Sequence, residues 1–160
     1  MGVFAFSDEF TSPVPPARLF KALILDFGNL LPKLLPQLIK SVDFTQGNGE
    51  AGSIRQISFQ DGIGLKSVTN RVEAVDPENL SYSYSLIEGE GLLDKMETIV
   101  YEVQFVPGPD GGSINKMKST YHTKGDIVLT EEEVKEGKEK ALEMYKAVEA
   151  YLLQNPEAYA

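Results

Sequence analysis

The first residues in this chain whose types and spacing could do chemistry form a glycine-dense loop at positions 47–52, Gly-Asn-Gly-Glu-Ala-Gly. Such loops can bind phosphate because their backbone N–H groups converge on an anion. A Walker-type loop, however, ends in Gly-Lys-Ser/Thr and opens a helix, whereas Gly52 precedes Ser-Ile-Arg-Gln-Ile-Ser-Phe, a run typical of a strand. A structural hairpin and a phosphate contact both stay open, and the following strand favours the hairpin.

A second candidate group is a set of tyrosines on consecutive strand-like segments. Tyr82 and Tyr84 alternate with serines, while Tyr101 and Tyr121 hold similar places in the next two segments. A period of two puts such residues on one face of a sheet. Their rings offer apolar area and their hydroxyls can orient a polar group, the mixture found in small-molecule sites. An ordinary core with four satisfied tyrosines is the alternative.

Composition excludes several other kinds of chemistry. The chain has no cysteine, which excludes disulfides, thiolate nucleophiles and cysteine-rich zinc sites. Its one histidine, His122, fits a strand surface better than a catalytic centre. A net charge of -9 repels phosphate backbones, so we expect no nucleic-acid partner. We predict neither a metal nor a cofactor.

Length and the first residues bear on domain organisation and location. With 160 residues, 42% of them hydrophobic and 24% charged, the chain fits one globular domain over residues 1–160. Its start shows neither the basic region nor the apolar stretch of a signal peptide, and no apolar run is long enough to cross a membrane. We therefore expect a cytoplasmic monomer with no membrane partner.

The elements that must position these residues can be predicted from periodicity. Residues 3–11 predict an edge-type strand, and Pro16 opens the first of two short helices, which meet at residues 26–29; Pro32 and Pro36 bracket the second helical piece. Residues 40–123 read as a continuous antiparallel meander of strands and turns. Thr130 then begins a long helix that runs to about Leu153.

The long helix is uneven in its apolar stripe. Its C-terminal half carries Ala141, Tyr145, Val148 and Leu152 at helical spacing. Its N-terminal half has Gly137 at the stripe position, with little bulk to bury on a sheet. We therefore predict that the helix leaves unfilled volume against the sheet, that is, a cavity.

Several segments, in order along the whole chain, carry a family resemblance. They are MGVF at 1–4, PARLFKA at 16–22, GNG at 47–49, YSLIEG at 84–89, PDGGSI at 109–114, YHTKGD at 121–126 and KAVEAYL at 146–152. Together they closely resemble plant class 10 pathogenesis-related proteins, the family of the major birch-pollen allergen. One departure is Glu50, which adds a negative charge where a phosphate would sit in the glycine loop.

The resemblance implies an α+β helix-grip fold, in which a seven-stranded antiparallel sheet wraps a long C-terminal helix, with two short helices, and encloses a cavity. It implies an intracellular plant defence protein that binds amphipathic molecules such as flavonoids or cytokinins without being an enzyme, and that antibodies recognise as an allergen. The lining residues that it implies are Leu23, Leu31, Ile39, Ile57, Phe59, Leu65, Tyr82, Tyr84, Tyr101, Lys138 and Ala141.

The resemblance also carries two rival functions. Ribonuclease activity has been attributed to family members through residues that look like Arg55, Glu97, Glu149 and Tyr151, where two carboxylates could supply a general base and acid. The acidic chain and its single histidine argue against it. An abscisic-acid-receptor-like phosphatase inhibitor is the other rival, but the turn at residues 87–91 lacks the gate sequence of those receptors.

Overall fold

The computed structural model describes residues 2–62, 66–89, 96–128 and 130–160, apart from the side chains at positions 133, 136, 137 and 140. The strands are β1 (Val3–Ser12), β2 (Ile39–Gln46), β3 (Ile54–Phe59), β4 (Ser67–Asp76), β5 (Ser81–Gly89), β6 (Met96–Pro107) and β7 (Ser113–Thr123). They form a seven-stranded antiparallel sheet in the order β1-β7-β6-β5-β4-β3-β2. The predicted meander is confirmed, and β1 is an edge strand, as predicted.

One face of the sheet is turned toward the C-terminal helix α3 (Glu131–Gln154). Phe10 of β1 packs on Tyr145 of α3 with ring centroids 5.5 Å apart, and the Lys138 ammonium lies 5.4 Å from the Phe6 ring centroid. We call this side the inner face and the opposite side the outer face. The register carries the inner face across the sheet through Phe6, Ser119, Tyr101, Tyr84 and Val72, which are paired in that order.

Two short helices follow β1, as predicted. They are α1 (Pro16–Phe20), which continues into a π-helical segment (Lys21–Leu25), and α2 (Phe27–Leu34), with Asp26 at the junction. The predicted bound at Pro32 is wrong, because Pro32 lies inside α2. Proline removes one backbone donor from this short helix, while Leu30 and Leu31 are buried in the core. Tertiary packing therefore maintains a helix that local propensity would end.

The long helix α3 begins and ends within one residue of its predicted bounds. Val148 and Leu152 are completely buried and Tyr145 nearly so, whereas Ala141 stays partly accessible. The backbone of α3 approaches the short helices more closely than it approaches the strands. Its C-terminal half therefore packs tightly, and its middle stands off the sheet. No helix in the described part of the chain is both long and apolar enough to cross a membrane.

The end of α3 is tied back to α1 by one arginine. Arg18 donates from Nη2 to the Leu152 carbonyl at 2.7 Å and from Nε to the Ala158 carbonyl at 2.7 Å, and it also reaches the Asn155 carbonyl. The last carbonyls of a helix have no partner within the helix, so a cation there satisfies them and opposes the helix dipole. Arg18 therefore fixes the position of α3 over the inner face.

Candidate functional site

The centre of the inner face carries a group of tyrosine rings. Tyr84 of β5 and Tyr101 of β6 are directly paired across the strands and stack with centroids 4.9 Å apart. Tyr82 lies beside them, 5.5 Å from Tyr84, and Tyr121 of β7 meets Phe6 edge to face at 5.6 Å. All four predicted tyrosines therefore share the inner face, because the strand period and the register agree there.

These rings are desolvated and yet reachable. Burial raises the pKa of Tyr84 to about 12 and that of Tyr101 well above its ordinary value, so both phenols are neutral at physiological pH. Both side chains nevertheless keep accessible area, although they lie on central strands under α3. This accessible area lies on the face of the sheet that is turned toward α3, and we call the space beside the two rings the hollow. Among the described residues neither hydroxyl has a hydrogen-bond partner within the protein.

The predicted lining residues fall into two sets by accessibility. Leu23, Phe59, Tyr84, Tyr101, Lys138 and Ala141 keep accessible surface, whereas Leu31, Ile39, Ile57 and Tyr82 are buried. Leu65 lies outside the described residues. The first set has surface that it could offer to a guest, and the second supports the walls from behind. Their role in binding stays a prediction.

Lys138 is positioned by contacts with β1. Its ammonium lies 3.2 Å from the Asp8 carboxylate on the inner face and over the ring of Phe6. Both charged side chains are about one third exposed, at 35% and 29%. The ion pair joins α3 to the edge strand, so Lys138 is neither a freely solvated charge nor an unpaired cation facing the hollow.

Arg55 on β3 is the other cation on the inner face. It is 6% exposed, and its guanidinium carbon lies 4.4 Å from the centroid of the Phe27 ring. Its partner on β4, Asn70, is 3% exposed. Within the described ranges, Arg55 Nε and Asn70 Oδ1 are both buried without a hydrogen bond, and Arg55 forms no salt bridge. Sequence reasoning missed Asn70, and the only available signal was its place in an alternating strand.

The glycine loop is a hairpin turn between β2 and β3, as the favoured interpretation had it. Gly47, Gly49 and Gly52 have φ of 74°, 118° and 94°, values that suit glycine. The Asn48 N–H donates to the Glu50 carboxylate at 3.0 Å, and bonds from the backbone N–H groups of Glu50 and Asn48 lower the pKa of that carboxyl. The loop thus binds its own anion where a phosphate would have to sit.

The four residues of the ribonuclease hypothesis lie on different parts of the fold. Arg55 is buried on the inner face, Glu97 is exposed near the start of β6, and Glu149 and Tyr151 are partly buried on α3. In the part of the chain that the structure describes, no hydrogen bond or salt bridge joins any two of them.

Two further sequence expectations concern His122 and metals. His122 lies on the outer face of β7 and is partly exposed, which agrees with a strand surface. The described residues contain no group of three or more side chains arranged to ligate a metal. The turn compared with the receptor gate extends to residues 90 and 91, which lie outside the described residues.

An open groove of about 620 Å³ lies on the outer face, across β1, β7, β6 and β5. Its lining includes Ser7, Glu9, Glu102, Gln104, Lys116 and Lys118. These outward side chains carry both signs of charge, and Lys116 and Lys118 are exposed to solvent. Most of its lining residues point outward, but the inner-face positions Asp8, Tyr82, Val103 and Met117 also contribute to it.

Known proteins that are similar to this chain include plant allergens. The family model described as "Pathogenesis-related protein Bet v 1 family" matches residues 1–155. The chain is 54% identical to the major strawberry allergen Fra a 1-2 of Fragaria ananassa and 52% identical to the major allergen Pru ar 1 of Prunus armeniaca, in each case over 99% of both chains.

Solved structures agree on the fold. The crystal structure of Ara h 8.0201 has a TM-score of 0.88 and 37% identity, covering 96% of this chain and 100% of that one. Norcoclaurine synthase from Thalictrum flavum, in complex with dopamine and hydroxybenzaldehyde, has a TM-score of 0.75 and 20% identity, covering 96% of this chain and 88% of that one. At that identity the second likeness shows a shared fold alone.

Proposed function

The chain belongs to the pathogenesis-related protein Bet v 1 family, and from this premise we propose that it binds amphipathic small molecules, of flavonoid or cytokinin type, in the hollow. The fold is a ligand-binding one, and the relatives named above are allergens. We propose a plant defence role for a cytoplasmic monomer with one domain over residues 1–160, recognised by antibodies like its relatives.

The stacked pair of Tyr84 and Tyr101 is the observation that carries this proposal. Two large rings on central strands are deeply desolvated and still accessible, and their neutral hydroxyls have no partner among the described residues. Such an arrangement suits a flat apolar guest that stacks on the rings and exchanges hydrogen bonds with the hydroxyls.

We propose binding without chemical conversion of the guest. A general base or acid needs a pKa near the working pH, and the Tyr84 phenol is far from it, since its pKa is about 12. The Lys138 ammonium is engaged in an ion pair with Asp8, so it is not presented to the guest as a free nucleophile. These groups orient a guest rather than react with it.

A displacement titration tests the proposal. The uncharged dye Nile red should bind saturably, and flavonoids or cytokinins should displace it. Tyr84→Phe removes one hydroxyl and should weaken a hydroxylated guest by about 0.5–1.5 kcal/mol, roughly two- to tenfold. The matched control is Ser83→Ala, next to Tyr84 on the opposite face, which should change nothing.

A second pair of variants tests the location. Ala141→Trp fills space beside the hollow and should abolish binding, whereas Ala150→Trp, on the exposed side of α3, should bind like wild type. Failure of every dye, flavonoid and cytokinin to bind the wild type contradicts the proposal. Cleavage of RNA by the purified protein that is lost in Glu149→Gln would support the ribonuclease instead.

A further inference from the structure

Arg55 presents a charge that the described structure does not neutralise. Burying a guanidinium removes its hydration, and proteins normally compensate with a carboxylate or several hydrogen bonds. Here the described neighbours supply the ring of Phe27 and the amide of Asn70, and Nε has no acceptor. A cation–π contact offsets only part of such a loss.

The inner-face carboxylate of Asp8 does not neutralise Arg55, because it is paired with Lys138. Asp8 lies on the edge strand β1, where it pairs with Lys138 of α3. Arg55 and Asn70 lie on β3 and β4, near the opposite edge of the sheet. Asn70 Oδ1 is itself an orphaned acceptor. A buried donor and a buried acceptor thus stand on directly paired residues, each lacking a partner in the described protein.

The positive charge of Arg55 also acts electrostatically on the tyrosines beside the hollow. The positive charge of Arg55 partly counteracts the rise that burial causes in the pKa of Tyr82 and Tyr84. The strand register agrees with this, because Arg55 pairs with Asn70 and Asn70 with Leu86, which is on the same face of β5 as Tyr82 and Tyr84. Arg55 therefore faces the space where the guest is proposed to lie.

We propose that Arg55 and Asn70 form an anion subsite of the hollow, so that amphipathic guests carrying a carboxylate bind more tightly than neutral or cationic guests of the same shape. The carboxylate would accept hydrogen bonds from the guanidinium, whose planar fork suits two oxygens. Asn70 Oδ1 would accept from a hydroxyl or a water molecule beside the carboxylate. This inference rests on the proposed function, because it names the chemical class of the guest for the same site.

Matched naphthalene probes test it by calorimetric titration at pH 7. They are 2-naphthoate, which is ionised, and 2-naphthamide, which has the same ring and no charge. Wild type should bind the acid at least about tenfold more tightly than the amide. Arg55→Met should bring the two within about threefold, because the acid loses its charged partner, and Arg55→Lys, which keeps the charge without the fork, should fall between.

Arg71→Gln is the control, since it also removes one positive charge but lies exposed on the outer face beside Glu73. It should keep the wild-type preference. A thermal melt without ligand supplies a second readout: removal of an uncompensated buried charge should leave Arg55→Met at least as stable as wild type. A large loss of stability or failure to fold would show that the charge has a partner within the protein, and would overturn the inference.

The other possible outcomes of the titration also distinguish between the anion subsite and the proposed function. Equal binding of acid and amide by wild type, or a preference for the acid that survives in Arg55→Met, overturns the anion subsite while leaving the binding function intact. Absence of binding by Nile red and by both naphthalenes overturns the proposed function as well. The two failures are therefore distinguishable.

Discussion

Replacement of Arg18 by alanine should destabilise the protein more than any other single loss of a surface cation. Arg18 donates to the carbonyls of Leu152, Asn155 and Ala158, with two of the bonds at 2.7 Å. Hydrogen bonds from a charged donor contribute about 1.5–3 kcal/mol each when buried, and these are only partly buried. Allowing for water that replaces some of them, we expect a loss of about 2–4 kcal/mol in the free energy of unfolding.

Urea denaturation followed by tyrosine fluorescence measures this loss. For a chain of this length each kcal/mol shifts Tm by about 2–4 °C, so Arg18→Ala should melt roughly 5–15 °C below wild type. Arg18→Lys keeps the charge near the helix end but has no planar fork, and should recover less than half of the loss. Arg71→Ala, which breaks an exposed pair with Glu73, should cost less than about 1 kcal/mol.

Two results would refute this reasoning. An Arg18→Ala protein within 1 kcal/mol of wild type would mean that water satisfies the end of α3 as well as the guanidinium does. A lysine variant equal to wild type would mean that charge alone, and not the three-fold donation to carbonyls, secures the helix end.

Three smaller predictions follow from the same geometry. In an NMR titration, the Asn48 amide resonance should follow the ionisation of Glu50 with a midpoint below 4.5, because the pKa of that carboxyl is lowered in the folded state. The stabilisation by this carboxylate is present above the unfolded-state pKa and is lost as pH falls through the folded-state pKa. Glu50→Gln should abolish the titration. A double-mutant cycle on Asp8→Asn and Lys138→Gln should give a coupling of only about 0.5–1 kcal/mol by urea denaturation, since both side chains are partly solvated; a coupling above 2 would contradict this. In an alkaline absorbance titration, Tyr84→Phe should remove one tyrosine step near pH 12, and an unchanged step there would contradict the assignment.

Periodicity sufficed for most of the architecture. The meander and α3 were predictable because alternation and helical spacing are local properties of the chain, repeated over many residues. The exception at Pro32 is instructive, because a proline was expected to bound the helix and instead lies within α2. Packing of Leu30 and Leu31 against the core lies outside the reach of a local rule.

Parts of the site were predictable for the same reason. The tyrosines at 82, 84, 101 and 121 alternate with polar residues, so their common face follows from the period of two. The anion inside the glycine loop was also foreseeable from Glu50, two residues from Asn48. Contacts of this kind join residues that are close together in the sequence, so they can be predicted without the tertiary structure.

The amino-acid sequence by itself therefore determined which residues alternate, where the long helix begins and ends, and that no cysteine chemistry is available. Only the tertiary structure decided that Asp8 holds Lys138, and that Arg55 meets Phe27 and Asn70 without a carboxylate among the described residues. The physical reason is that a side chain's charge environment is set by groups brought near it through strand register and helix docking. A strand period fixes the face that a residue occupies, but its partners come from strands and helices far away along the chain.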